Sequence, residues 1–350
     1  MCALSKRENI LRVYNGEMPE YVPIAEQSYA MVIPFAIFGG GGPGGSMPDG
    51  TPPPPPVAGD ITYNLLKTPH IIVDPNIGPM PIPGDPQVKD ITRWREYLDF
   101  DWPTVDDLDW SGDVEIAKNI DRENLAVQAM IGGVAFSGSP FNAMVDIMGH
   151  AGACIAMLDE EQKPYWHELI NLQTELEVGI IKRLIEIYKP DIVCSCDDLG
   201  NAHAPFMSMD TYREMIKPYQ ERIIKAITEE GVIAELHCCG KSDAFVDDWF
   251  EMGIRAWNPA QVFNDVEEIK AKYGRSFVLN GGYDSSSKIN TRGASEVEVR
   301  ASIRSSFARY APGGGYIFST SGMALVHDLG EEHMGWIMDE AEKCSVAAYQ

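Results

Sequence analysis

Asp191-Ile192-Val193-Cys194-Ser195-Cys196-Asp197-Asp198, a helical pattern from about Asp210 to Glu230 that stops at Gly231, then Val232-Ile233-Ala234-Glu235-Leu236-His237: this stretch decides the fold. Each short apolar run is strand-like and ends on polar residues. The segment between them is long enough to return the chain to the start of a neighbouring strand. Two strands joined through a helix run parallel, because a tight turn can only make an antiparallel pair. Ser208 stands where the helix needs a capping oxygen.

The cadence continues in both directions. Downstream, Ser242 to Gly253 reads as helix, Ile254 to Asn258 as strand, Val266 to Tyr273 as helix and Phe277 to Asn280 as strand. Glu296 to Tyr310 (helix), Tyr316 to Ser319 (strand) and Glu331 to Ala348 (closing helix) complete it. Upstream, a helical pattern from Glu160 to Tyr188 follows an apolar run from Leu125 to Val134. Nearer the start, a short helix from Lys6 to Tyr14 precedes a first strand, Tyr21 to Glu26, and a second strand is expected within residues 61–75. Right-handed crossovers leave a closed barrel or an open doubly wound sheet. Polar residues end many successive strands: Glu26, Asp197-Asp198, His237, Asn258, Asp284 and Ser319. In a barrel all those ends converge on one mouth, whereas an open sheet concentrates them at a switch point.

The expectation is therefore an α/β protein, a single-domain (β/α)8 TIM-type barrel over residues 1–350. Residues 1–120 would supply the N-terminal strand, an excursion and helices, and residues 121–350 the regular repeats. Residues 39–59 hold Gly39 to Gly42, Gly44-Gly45 and the run Pro52 to Pro56 between apolar, aromatic flanks. They are expected to fold as a Gly/Pro-rich loop over the mouth rather than as an interdomain linker.

Composition narrows the function. Apolar residues at 45% and charged residues at 23% suit a chain with a full core. With 28 Lys plus Arg against 52 Asp plus Glu the formal charge is −24, which repels phosphate backbones and anionic lipid and argues against nucleic-acid and membrane-surface roles. No apolar run approaches the ~20 residues of a membrane helix, and the first residues lack a secretory pattern. Seven cysteines, two of them adjacent, make no disulfide framework. A cytoplasmic protein with reduced thiols is expected.

The most specific local signal is Glu235-Leu236-His237-Cys238-Cys239-Gly240-Lys241. Alternate strand residues share a face, so His237 and Cys239 point together and Cys238 points away. An imidazole and a thiolate at a strand end make half of a zinc site. Spacing alone leaves open the alternative that both are ordinary buried residues. Cys194 and Cys196 read as packing. Of Asp197 and Asp198, one is expected to be functional and the other a loop or helix-cap partner. His150, His167, His327 and His333 read as surface or packing residues, and His203 as nearer the mouth.

Residues 190–261 resemble the uroporphyrinogen decarboxylase superfamily. The resemblance rests on Asp197-Asp198-Leu199-Gly200, on Ser208 to Tyr219 and on His237-Cys238-Cys239-Gly240. Gly138-Ser139-Pro140-Phe141 and Gly281-Gly282-Tyr283-Asp284 fit the same pattern, extending it over most of residues 120–330. It implies an eightfold βα barrel and one of two chemistries. Decarboxylation of a porphyrinogen requires cations for eight carboxylates, yet no Lys or Arg occurs from Val13 to Leu66. The other branch comprises methyltransferases that work with a corrinoid protein. Its zinc-dependent members hold the metal through a His-x-Cys pair, matched by His237 and Cys239, and a later Cys, where this chain has Ser321.

That departure leaves Glu26, Asp198 or Asp284 to complete a harder, oxygen-richer site for zinc. The resemblance thus implies methyl transfer from a small O-methylated, aromatic substrate to cobalamin carried by a separate corrinoid protein. No cobalamin-binding domain is visible in this sequence. His237, Cys239 and Asp284 are the expected metal ligands, Asp198 and Glu26 the catalytic acids, and Tyr29, Phe35, Trp257 and Asn258 the substrate contacts. A homodimer is compatible with this reading. The rivals are a decarboxylase of a smaller substrate and a barrel that only docks a corrinoid protein.

Overall fold

The computed structural model describes residues 4–39, 47–74, 78–132, 139–320 and 330–349. Helix α1 (Lys6–Tyr14) starts in a capping box in which Ser5 and Glu8 satisfy each other's backbone N–H. After it come α2 (Ala25–Ser28), β1 (Tyr29–Val32) and α3 (Phe35–Phe38), then an excursion carrying β2 (Ile61–Tyr63), β3 (Pro69–Asp74), β4 (Gly78–Pro81), α4 (Trp94–Tyr97) and α5 (Ser111–Lys118). Regular alternation begins with β5 (Ala126–Gly132), α6 (Pro140–Leu158), α7 (Lys163–Tyr188) and β6 (Ile192–Cys196). It continues through α8 (Met209–Met215), α9 (Lys217–Thr228), β7 (Ile233–His237), α10 (Val246–Met252), β8 (Ala256–Ala260) and α11 (Val266–Tyr273). Strand β9 (Val278–Gly282), α12 (Glu296–Tyr310), β10 (Tyr316–Ser319) and a last helix, Glu331–Ala347, close the chain.

Seven parallel strands form one sheet in the order β1-β5-β6-β7-β8-β9-β10. The sheet curls in the TIM manner. Ala126, Ile192, Ala256, Val278 and Ile317, from five different strands, share one buried cluster with Ile10, Val13 and Tyr14 of α1. That contact seals the end of the sheet where the strands begin. At the other edge an isolated parallel bridge joins Ile24 to Phe318, whose N–H donates to the Pro23 carbonyl at 2.9 Å.

Two expected strands are corrected. Tyr21 to Glu26 is not a full strand. Pro23 has no N–H to give a ladder, and from Ala25 the chain turns helically, so the first strand is Tyr29–Val32. The strand expected within residues 61–75 does not join the parallel sheet. It is part of a separate antiparallel sheet, β2-β3-β4. The reason is local turn chemistry: Asn64 Oδ1 accepts the N–H groups of Leu66 and Thr68, and Lys67 takes φ 57°, which reverses the chain after a three-residue strand. Among the described residues the parallel sheet therefore has seven strands, with the Ile24 bridge where an eighth would lie.

The excursion is tied to the helical layer. Val88 N–H donates to the Ile147 carbonyl of α6 at 2.8 Å, and buried His70 lies 3.4 Å from buried Asp146. Asp113 of α5 accepts from Phe35 N, Ala36 N and the Tyr188 hydroxyl. Helix α6 is long and apolar enough to cross a membrane by length and composition alone; it is mostly buried and breaks at Gly149 (φ 70°, ψ 160°). Residues 47–59 carry the exposed run Pro52 to Pro56, and Gly59 N–H is pinned to Ile72 O of β3. Gly40 to Gly45, the centre of the expected lid, lie outside the described residues.

Candidate functional site

The site forms where β6 and β7 end. Strand β7 pairs with β6 so that His237 faces Cys196, and Asp197 N–H donates to His237 O at 2.9 Å. The turns that follow the two strands then press together. Gly240 takes φ 92°, and a Cβ there would lie 2.3 Å from Gly200 O, so only glycine allows the approach. Lys241 N–H donates to Asn201 O at 2.7 Å across the same contact. The result brings Cys239 beside Asp198, whose Oδ1 accepts the Cys239 N–H at 2.6 Å.

Asp198, His237 and Cys239 are the described residues whose ligand atoms converge: a carboxylate oxygen, an imidazole nitrogen and Sγ lie within 4.8 Å of one another. His237 Nε2 is 3.5 Å from Cys239 Sγ, and His237 Nδ1 is 3.1 Å from Asn258 Oδ1. Burial pushes the Cys239 thiol well above its ordinary range, and the Asp198 carboxylate adds to the shift. A cation offsets both penalties, since it favours the thiolate and neutralises the acid. The donor set of one nitrogen, one sulfur and one oxygen fits zinc. Cys238 points away, as alternation requires: its buried Sγ meets Leu199 N–H at 3.4 Å and Ser242 Oγ at 3.2 Å.

The neighbouring acid has a different task. Asp197 caps α6, accepting N–H groups of Phe141 and Asn142 and the Gln220 amide, and burial raises it to about 7. Glu177 of α7 accepts Ser139 N–H in the same buried region, where desolvation raises it to about 8.

The other expected site residues are spread out. Glu26 accepts from Thr320 N at 2.7 Å and Oγ1 at 2.6 Å, next to the end of β10. Asp284 caps its own turn through Ser286 Oγ at 2.8 Å, outside the three-residue cluster. Tyr29 turns its hydroxyl into the barrel, 2.5 Å from Tyr14 Oη. The Phe35 ring lies against Gly112 of α5. Trp257 is fully buried between sheet and helices, donating Nε1–H to Cys238 O and packing edge-on against Trp249. Asn258 is the one of the four substrate candidates that reaches the cluster, and it does so through His237. His203 is exposed in its loop. Ser321 and His327 lie outside the described residues.

His150, expected as a surface or packing residue, is exposed and packs against two aromatic rings. His150 sits 5.1 Å from the Phe206 ring and 6.4 Å from Phe141. Burial lowers its pKa, while the charges of Asp146 and Asp198 pull it the other way.

The curled parallel sheet thus carries at its strand ends a His, Cys and Asp cluster with the ligand atoms to hold a metal ion. The chain belongs to the uroporphyrinogen decarboxylase (URO-D) family, whose pattern it matches over residues 114–344. No curated protein matches the chain in sequence. Among solved structures it is similar to a methyltransferase from Methanosarcina mazei, with 13% identity and a TM-score of 0.62. That similarity covers 97% of this chain and 99% of the other, and shows a shared fold.

Proposed function

We propose that this protein is a corrinoid-dependent methyltransferase that moves a methyl group from a small O-methylated, aromatic substrate to the cobalt of a separate corrinoid protein. The observation that carries the reading is the convergence of Asp198, His237 and Cys239 at the barrel's strand ends. The cation-free stretch from Val13 to Leu66 separates it from porphyrinogen decarboxylation, which needs counter-charges for many carboxylates. The similar Methanosarcina mazei protein is itself described as a methyltransferase.

Zinc held by these residues would supply a Lewis acid for the ether oxygen of the substrate. The chain's residues do the rest. His237 offers Nε2, Cys239 its sulfur and Asp198 a carboxylate oxygen, a harder set than one built on two thiolates and suited to an oxygen leaving group. In the alternative in which Asp198 does not bind the metal, it would act as the acid that protonates that oxygen. Glu26 stands as a second acid near the end of β10.

The test is direct. The zinc-loaded protein is mixed with methoxylated aromatics and cob(I)alamin, and the Co(I) absorbance is followed. Loss of that absorbance with formation of methylcobalamin, abolished by chelation and restored by zinc, is expected. Coproporphyrinogen formation from uroporphyrinogen above a heat-killed control, with no methyl transfer, contradicts the reading.

A further inference from the structure

Below the metal cluster lies a buried carboxylate for which the proposed chemistry has no use. Glu235, two residues before His237 on β7, faces the barrel interior and is fully buried. It accepts from the Tyr14 hydroxyl, from Asn280 Nδ2 at 3.1 Å and from Gln128 Nε2 at 3.3 Å. It also accepts from the Asn258 side chain. These donors come from α1, β9, β5 and β8, so the carboxylate is held from four directions.

The direction of these bonds fixes the site above. Glu235 takes hydrogens from Tyr14, Asn280 and Gln128, and the end of the Asn258 amide that meets it is Nδ2–H₂, because Oδ1 is the end turned to His237. That Oδ1 lies 3.1 Å from His237 Nδ1 and can only accept. The imidazole proton is thereby placed on Nδ1. The Nε2 lone pair is left toward Cys239 Sγ, 3.5 Å off, as a metal ligand requires. A flipped Asn258 would set Oδ1 against the Glu235 carboxylate, an unfavourable contact.

We propose that Asn258 and Glu235 are positioning residues that set the His237 tautomer and so the affinity of the metal centre; Asn258 is then a support for the ligand. This rests on the metal reading of the site, but its first consequence exists without metal. In the metal-free protein the His237 ring carries its proton on Nδ1.

The experiment uses the full chain with its histidines labelled with nitrogen-15, and zinc affinity by chelator competition. Wild type should show the Nδ1–H tautomer at His237, and Asn258→Ala should lose it and weaken zinc by about 10–100-fold, the range for loss of a partner behind a metal-bound histidine. Asn258→Asp sets two carboxylates face to face and should weaken zinc as well. The double variant Glu235→Gln with Asn258→Asp removes the facing charges, reverses the first bond (Gln N–H to Asp), keeps the second (His N–H to Asp) and should recover part of the affinity lost in Asn258→Asp. A merely structural role gives no such rescue. An Nε2–H tautomer in metal-free wild type overturns the inference, and so does zinc affinity unchanged in Asn258→Ala. Failure of wild type to bind zinc with the Nδ1–H tautomer intact sinks the metal reading and leaves the positioning of His237 supported.

Discussion

The two ends of the barrel interior are built from the same strands and have opposite character. Where the strands begin, Ala126, Ile192, Ala256, Val278 and Ile317 make an apolar floor closed by Ile10 and Val13 of α1. One strand period further along, Gln128, Glu235 and Asn280 make a buried polar layer joined by hydrogen bonds. At the far end of β7 stand His237 and, past the strand, Cys239. A step of two residues keeps a side chain facing inward, so the gradient from oil to ligand is written in alternate positions. The lesson is that stability and chemistry sit in the same strands and are separated by height. The middle layer couples them, because Tyr14 of the floor helix reaches the carboxylate that orders the mouth.

That contrast can be broken most severely at the mouth. His237→Ala should abolish stoichiometric metal while circular dichroism stays that of the wild type, since the residue contributes no floor packing; retained metal on elemental analysis ends the proposed ligation. Next in size is the split between adjacent cysteines. Cys239→Ser should cut zinc affinity by more than about tenfold through loss of the sulfur ligand, whereas Cys238→Ser should keep it; equal losses would show that alternation does not govern this strand end. At the floor, Ile192→Ala should cost about 2–5 kcal/mol in urea unfolding, with metal content per folded chain unchanged.

The smallest effect is electrostatic. Burial raises Glu177 to about 8 and Asp197 to about 7, from ordinary values of 4.5 and 3.8. Between those limits the folded chain holds protons that the unfolded chain has released, so stability falls as pH rises through that window. The penalty is absent below about pH 4 and complete above about pH 8. Glu177→Gln should flatten the decline in Tm across this range; an identical slope in the variant would show that Glu177 does not carry it.

Much of this was legible in the sequence where local signals were strong. The helices Lys6–Tyr14, Val266–Tyr273 and Glu296–Tyr310 lie where periodicity put them, and His237 with Cys239 followed from the period of two. Ser208 caps its helix by accepting Thr211 N–H. The roles of Asp197 and Asp198 needed the fold, because both stand at one strand end and only the direction of α6 decides which one caps it. The excursion was unreadable for a similar reason. Strands of three to six residues carry too little period to reveal pairing, and one asparagine turn reverses the chain between the first two. The link between Asn258 and Glu235 was not legible, because it spans two strands that are neighbours only in space.

A metal held by Asp198, His237 and Cys239 is the centre of the proposed chemistry. X-ray absorption at the zinc edge, with elemental analysis of the same wild-type sample, tests it most directly. One zinc per chain is expected, with a single sulfur at about 2.3 Å and the remaining ligands nitrogen or oxygen at about 2.0–2.2 Å. A substoichiometric metal, or a shell with no sulfur, contradicts it.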